Sequence, residues 1–221
     1  PSGRCCGGGD NVHCAMEPSK LLKENQMTVT YTNRKGITYT LCRTTTKTGK
    51  ARYIFVRDPS GRETVEEIPE GWEIRESVNG VVSLAKARER YLLSEEIAAV
   101  KAALGEHPKA YNYRLDVKPE RLVIYEREGP DIDGLLGIFG AHFGMSPGKE
   151  QQLRDELTQR GHFAQVLRFV LTDAKTRDFR AARRRTRGRS DDWIFMGSGK
   201  LADLVQTLVP KLGTDVFFNL Y

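Results

Sequence analysis

From residue 28 the chain alternates: Ile37, Tyr39 and Leu41 are interleaved with Thr38, Thr40 and Cys42, and a turn at residues 45–50 is followed by ARYIFV at 51–56. A period of two in β-branched and aromatic residues, on both sides of a Thr- and Gly-containing turn, predicts a β-hairpin. Turns at Asp58-Pro59-Ser60-Gly61 and Pro69-Glu70-Gly71, with short strands at 72–75 and 81–84, extend it to an antiparallel meander of about four strands.

The period then changes. Ser94 stands as an N-cap before Glu95 and Glu96, and Ile97, Val100 and Leu104 share one helical face until Gly105 stops it. YNYRLDV, a turn at 118–121 and LVIYE make a second hairpin, with Tyr111, Tyr113, Leu115 and Val117 on one side and Arg114 and Asp116 on the other. A one-sided sheet covered by a helix is an α+β arrangement.

GPDIDGLLGIFGAHFGMSPG, residues 129–148, places Gly134, Gly137, Gly140 and Gly144 three or four apart. A helix packing closely through its glycines leads over an interdomain linker and a membrane-surface segment, because no basic face accompanies the run. Ser146 and Pro147 open a polar helix to Arg160 with Leu153 and Leu157 one turn apart, and AQVLRFVLTD is the strongest buried-strand signal in the second half. A basic strand, a turn at 188–192 and the strand WIFM follow. The last helix opens at Ser198, carries Leu201, Leu204, Val205 and Leu208 on one face, and ends before Gly213.

The predicted architecture is α+β: antiparallel β-meander or hairpin sheets with a few packed helices, in two small modules. Residues 1–26 form a leader, tag or disordered stretch, with Met27 or Met16 as the natural start. Residues 27–128 are the N-terminal α+β module, 129–145 a glycine-rich connecting segment, and 146–221 a C-terminal α+β module carrying the basic strand.

Composition narrows the class. In 221 residues, 39% are hydrophobic and 29% charged, enough apolar material for a core and too little imbalance for wholesale disorder. The longest apolar run, 135–143, falls far short of the roughly 18–20 residues a spanning helix needs, so no membrane partner is expected. Cys5, Cys6, Cys14 and Cys42 lack paired CxxC spacing, which argues against both a zinc site and a disulfide framework; Cys42 reads as a half-buried apolar residue. Reduced thiols and no signal peptide point to a cytoplasmic protein.

Charge changes the picture most. The run KTRDFRAARRRTRGR, 175–189, holds eight cations against Asp178, a net +7, whereas the whole chain is +6. The excess positive charge has one address, the usual footprint of a phosphate-bearing partner. As a strand, the run projects Arg183, Arg185, Arg187 and Arg189 together at a rise of roughly 6.6 Å per pair of residues, with Ala182, Arg184 and Thr186 opposite. Arginine meets phosphate bidentately. Lys175, Arg177, Arg180 and Lys200 are placed in support, and the competing reading is a solvated edge strand kept from aggregating by its charge. Phe179 and Trp193 bracket the run and are expected as core anchors.

Other motifs fall away. GSGK at 197–200 lies between a predicted strand and helix, but the Walker positions for the first glycine and the final hydroxyl hold Ile194 and Leu201. Asp131 and Asp133 read as turn or cap residues. His107, His142 and His162 are scattered, so no catalytic residues and no cofactor are assigned.

The pattern NRKG, TKTGK-x-RY and IPEG-x-E-I within residues 33–75 resembles a family of uncharacterised bacterial proteins, the similarity extending from Met27 to the DDWIF stretch. The resemblance implies a bacterial, cytoplasmic protein and no activity. The expected function is non-enzymatic binding of DNA or RNA through residues 183–189; the alternative is a protein-interaction module that meets an acidic partner, and an enzyme with a site formed only in three dimensions comes last.

Overall fold

The alternating first stretch closes into a sheet built around its longest strand. In the computed structural model, which describes residues 28–144, 146–185 and 192–219, strands β1 (Thr30–Thr32), β2 (Thr38–Thr45), β3 (Ala51–Val56) and β4 (Glu63–Thr64) are antiparallel, with β1, β3 and β4 all pairing to β2. Leu41 and Cys42, neighbours that point to opposite faces, are both fully buried, so β2 is covered on both sides. Cys42 is therefore a core residue rather than a half-buried one, and burial pushes its thiol pKa up. The hairpin β5 (Trp72–Glu76) and β6 (Val82–Lys86) forms a separate two-stranded sheet.

Next in the chain come α1 (Ser94–Gly105), β7 (Tyr113–Lys118), β8 (Arg121–Glu128), α2 (Ile132–Phe143), α3 (Pro147–Arg160), β9 (His162–Asp173), β10 (Asp178–Arg184), β11 (Trp193–Lys200), α4 (Leu201–Leu208) and α5 (Asp215–Asn219). The five strands form one antiparallel sheet in the order β11-β10-β9-β8-β7. One face is covered. Leu122 and Ile124 of β8, Leu167 and Phe169 of β9, and Phe179 and Ala181 of β10 join Val100 and Leu104 of α1, Leu201, Leu204, Val205 and Leu208 of α4, and Phe217 of α5 in a single buried cluster. Each fully buried Phe or Leu contributes roughly 1.5–3 kcal/mol of transfer free energy, so this cluster dominates the stability.

The α+β architecture with antiparallel sheets is as predicted; three local readings are corrected. β8 pairs with β9 from Arg121 to Glu128, so the sheet takes strands from both sides of residues 129–145. Most of that segment is helix α2, which buries Ile132 and Leu136, one turn apart, while Gly134 and Gly137 are exposed, so these two glycines do not form the close-packed face expected. The cap of α1 is Leu93, whose N–H donates to the Glu96 carboxylate at 2.9 Å. GSGK lies wholly in β11 and α4 opens at Leu201, with Gly197 and Gly199 at φ 141° and 147°, backbone that favours glycine. Among the described residues no helix is long and apolar enough to cross a membrane.

The β5–β6 hairpin is tied to the larger sheet by its tip. Asn79 donates to the Phe163 carbonyl at 3.0 Å and accepts from the Phe163 N–H at 2.8 Å, mimicking a ladder pair. Arg114 reaches the carbonyls of Val78 at 3.1 Å and Thr158 at 2.8 Å, with its guanidinium 4.0 Å from the Phe163 ring centre. The Arg114–Phe163 end of the second sheet face is thus closed by the hairpin, and the other end is not.

Candidate functional site: the open face of the five-stranded sheet

Cross-strand partners share a face, so the register writes out what the uncovered side presents. One row runs Lys118, Arg121, Val170, Arg180, Ser198 across all five strands, and the next runs Asp116, Val123, Arg168, Ala182, Phe195. Arg184 and its partner Trp193 lie beyond, and Asp178 with Lys200 lie on the other side. A bulge sets this alignment. Ala181 faces Gly197 and Ala182 faces Phe195, leaving Met196 as the extra residue; Met196 turns into the core while Trp193 and Phe195 stay outside with Ser198 and Lys200.

On this face arginines and aromatic rings lie side by side. Ala182 is small, so Arg168 lies across β10 with its guanidinium 4.0 Å from the Trp193 ring centre. Arg180 sits 5.2 Å from the ring centre of Phe195, which is 53% exposed. Two acids moderate the charge: Asp116 pairs with Lys118 at 3.7 Å, and Asp178 with Lys200 at 3.0 Å. Hydrogen bonds from Thr176 and then Lys200 hold the Asp178 carboxyl below its usual range, so it stays charged. Arg121, Arg168, Arg180 and Arg184 lie on the same face. At the Lys118 end the face runs into a cleft of about 720 Å³ where Arg75, Arg88, Lys118 and Arg121 are joined by the acids Glu89 and Glu120. Beside it Tyr125 has its hydroxyl pKa raised, by burial first and then by the Asp116 charge.

The residues expected to form the site divide sharply. Arg180 is on the open face and exposed. Arg183 is not: it points to the covered face, is 5% exposed, and donates to the Phe218 carbonyl at 2.8 Å, placing a cation at the C-terminal end of α5. It therefore cannot project in a row with Arg185, which is exposed beyond the end of β10. Arg187 and Arg189 lie outside the described residues. Arg177 takes φ 54° and forks onto Glu96 of α1, donating also to the Tyr91 carbonyl at 3.1 Å; it ties the β9–β10 turn to that helix. Lys175 is exposed in the same turn. Lys200 is engaged by Asp178 and the Thr176 carbonyl.

Phe179 is a core anchor as expected, at 0% exposure, but Trp193 is half-buried on the open face beneath Arg168. Arg184, placed opposite the functional row from sequence, is on the open face. Lys118, Arg121 and Arg168 belong to it too, and sequence reading missed them. The one available signal was Arg168, a cation at the centre of the most apolar strand, which a period of two assigns to the side away from Leu167 and Phe169.

Among the described residues no group of three or more His, Cys, Asp or Glu is arranged to hold a metal ion. No protein-family model, curated protein or solved structure matches the chain.

Proposed function

We propose that this chain is a nucleic-acid-binding protein that contacts phosphates through the open face of its five-stranded sheet, as a binding module rather than an enzyme. The supporting observation is the convergence of Arg121, Arg168, Arg180 and Arg184, drawn from three strands, on one face together with the Phe195 and Trp193 rings. Charge concentrated on one side of a sheet attracts a polyanion by counterion release, which is independent of sequence and steep in salt. The bacterial, cytoplasmic setting implied by the motif resemblance is part of the same proposal.

The test is fluorescence anisotropy of labelled DNA and RNA oligonucleotides at a series of salt concentrations. Four phosphate contacts give a log–log slope of about −3, from roughly 0.7–0.9 per contact. The double variant Arg121→Glu with Arg180→Glu, both exposed positions, should lose at least about tenfold in affinity and flatten the slope. Unchanged affinity and slope in that variant would overturn the proposal. Equal binding of a polyglutamate chain by the wild type would also overturn it, in favour of an acidic protein partner.

A further inference from the structure

Resting on that reading, we infer that the nucleic acid held by this face is single-stranded, with successive bases laid on the Phe195 ring and on the stacked Arg168–Trp193 pair. Phe195 is a large aromatic with 53% of its surface in water, on the face opposite the core that takes its neighbour Met196. Packing gives no account of that exposure. Trp193, two residues earlier on the same strand, lies on the same face with the planar Arg168 guanidinium 4.0 Å from its ring centre. Rings and guanidinium planes are the groups on which unpaired bases stack, and stacking tolerates any base because every base has a π-face.

Spacing decides between single and double strands. Side chains two apart on a strand are about 6.6 Å apart, roughly twice the 3.4 Å rise between stacked bases in a duplex strand. Two neighbouring bases can occupy both platforms only by separating from each other, which a paired strand resists and an unpaired one does easily. The phosphates of such a strand then have Arg180 and Arg184 at the platforms, the first over the Phe195 ring at 5.2 Å from its centre, so that a base shares that ring with it, and the second paired in register with Trp193. β11 is an edge of the sheet, so the strand can pass over it without meeting a further β-strand of that sheet. Asp and Glu side chains would use the same arginines, yet they carry no ring with which to stack on Phe195.

The experiment measures anisotropy with three probes at one salt concentration: an oligothymidylate and an oligouridylate of about a dozen nucleotides, and a duplex of equal length. The wild type should bind either single strand more tightly than the duplex. Phe195→Ala removes one platform from an exposed position and should weaken single-strand binding roughly 5- to 100-fold while leaving duplex binding unchanged; Phe195→Tyr should restore it. In a Trp72→Phe background Trp193 is the sole tryptophan, and its fluorescence should be quenched by the single strands and not by the duplex. If Phe195→Ala binds single strands as the wild type does while the Arg121→Glu/Arg180→Glu variant loses affinity, the stacking inference fails and the phosphate-binding proposal stands. Tighter wild-type binding to the duplex has the same consequence. Absence of binding to all three probes overturns both.

Discussion

Arg183 and Arg184 are adjacent in a run of three arginines, and the two faces of β10 give them opposite surroundings. Arg183 is enclosed beneath α5 with its guanidinium on the Phe218 carbonyl; Arg184 lies on the open face opposite Trp193. The same division separates Phe179, at 0% exposure against α1 and α4, from Phe195, more than half in water one strand away. One face of this sheet is organised by exclusion of water and the other by charge and exposed π-surface. A basic run in sequence is thus a poor unit of function: a strand assigns alternate members to structure and to surface, and only the second set is available to a partner.

Truncation of Phe179 should separate the faces most strongly. Phe179→Ala is expected to cost about 3–5 kcal/mol in urea unfolding, since the site is enclosed by strands and helices that cannot fully collapse into the void. A loss below about 1 kcal/mol would mean the covered face is not the core it looks. Arg183→Met retains the apolar stem and removes the charge-assisted hydrogen bond, at a cost of about 1.5–3 kcal/mol in the same assay. It should leave oligonucleotide affinity intact; an affinity loss matching that of Arg180→Glu would erase the distinction between the faces. On the open face the expectations invert: Phe195→Ala and Arg180→Glu each alter stability by no more than about 0.5 kcal/mol, so circular dichroism melts should overlay those of the parent.

The smallest effect concerns how the first sheets are joined. Glu76 of β5 accepts from the Tyr31 hydroxyl at 2.9 Å and the Arg34 side chain at 2.8 Å. Burial pushes its carboxyl pKa up, but the hydrogen bonds from Arg34 and Tyr31 outweigh this and hold it below 4.5. A carboxyl depressed in the folded state stabilises fully above its unfolded pKa, and that contribution is lost as the pH falls through the folded value. Melting temperature should therefore fall more steeply for the wild type than for Glu76→Gln as the pH drops below about 4.5. Parallel curves would show that the tie contributes nothing measurable.

The hairpins were legible because their cause is local. Period-two alternation around Gly49 and around Pro119 survives any tertiary context, and β2–β3 and β7–β8 formed where the pattern placed them. Boundaries set by packing were less legible: Ser198 reads as an N-cap, yet Phe179 and Arg180 pair with Gly199 and Ser198, so β11 continues to Lys200. The glycine-rich segment reads as a close-packing face, yet Ile132 and Leu136 face inward, because two large apolar side chains bury more area than two glycines.

What the sequence determined by itself was the α+β class, the hairpin pairs, the polar character of α3 and the presence of one concentrated basic run. Tertiary structure alone decided which cations lie on the open face. The bulge at Met196 and the one between Ile124 and Tyr125 each shift side-chain parity by one, and pairing of β8 with β9 brings Arg121 beside Val170 and Arg180 across 59 positions of chain. Parity past a bulge and register between distant strands are set by the fit of the core beneath them, and a one-residue slip moves every side chain to the other face. A linear reading carries neither quantity, and so it found the charge while misplacing Arg183 and Arg184.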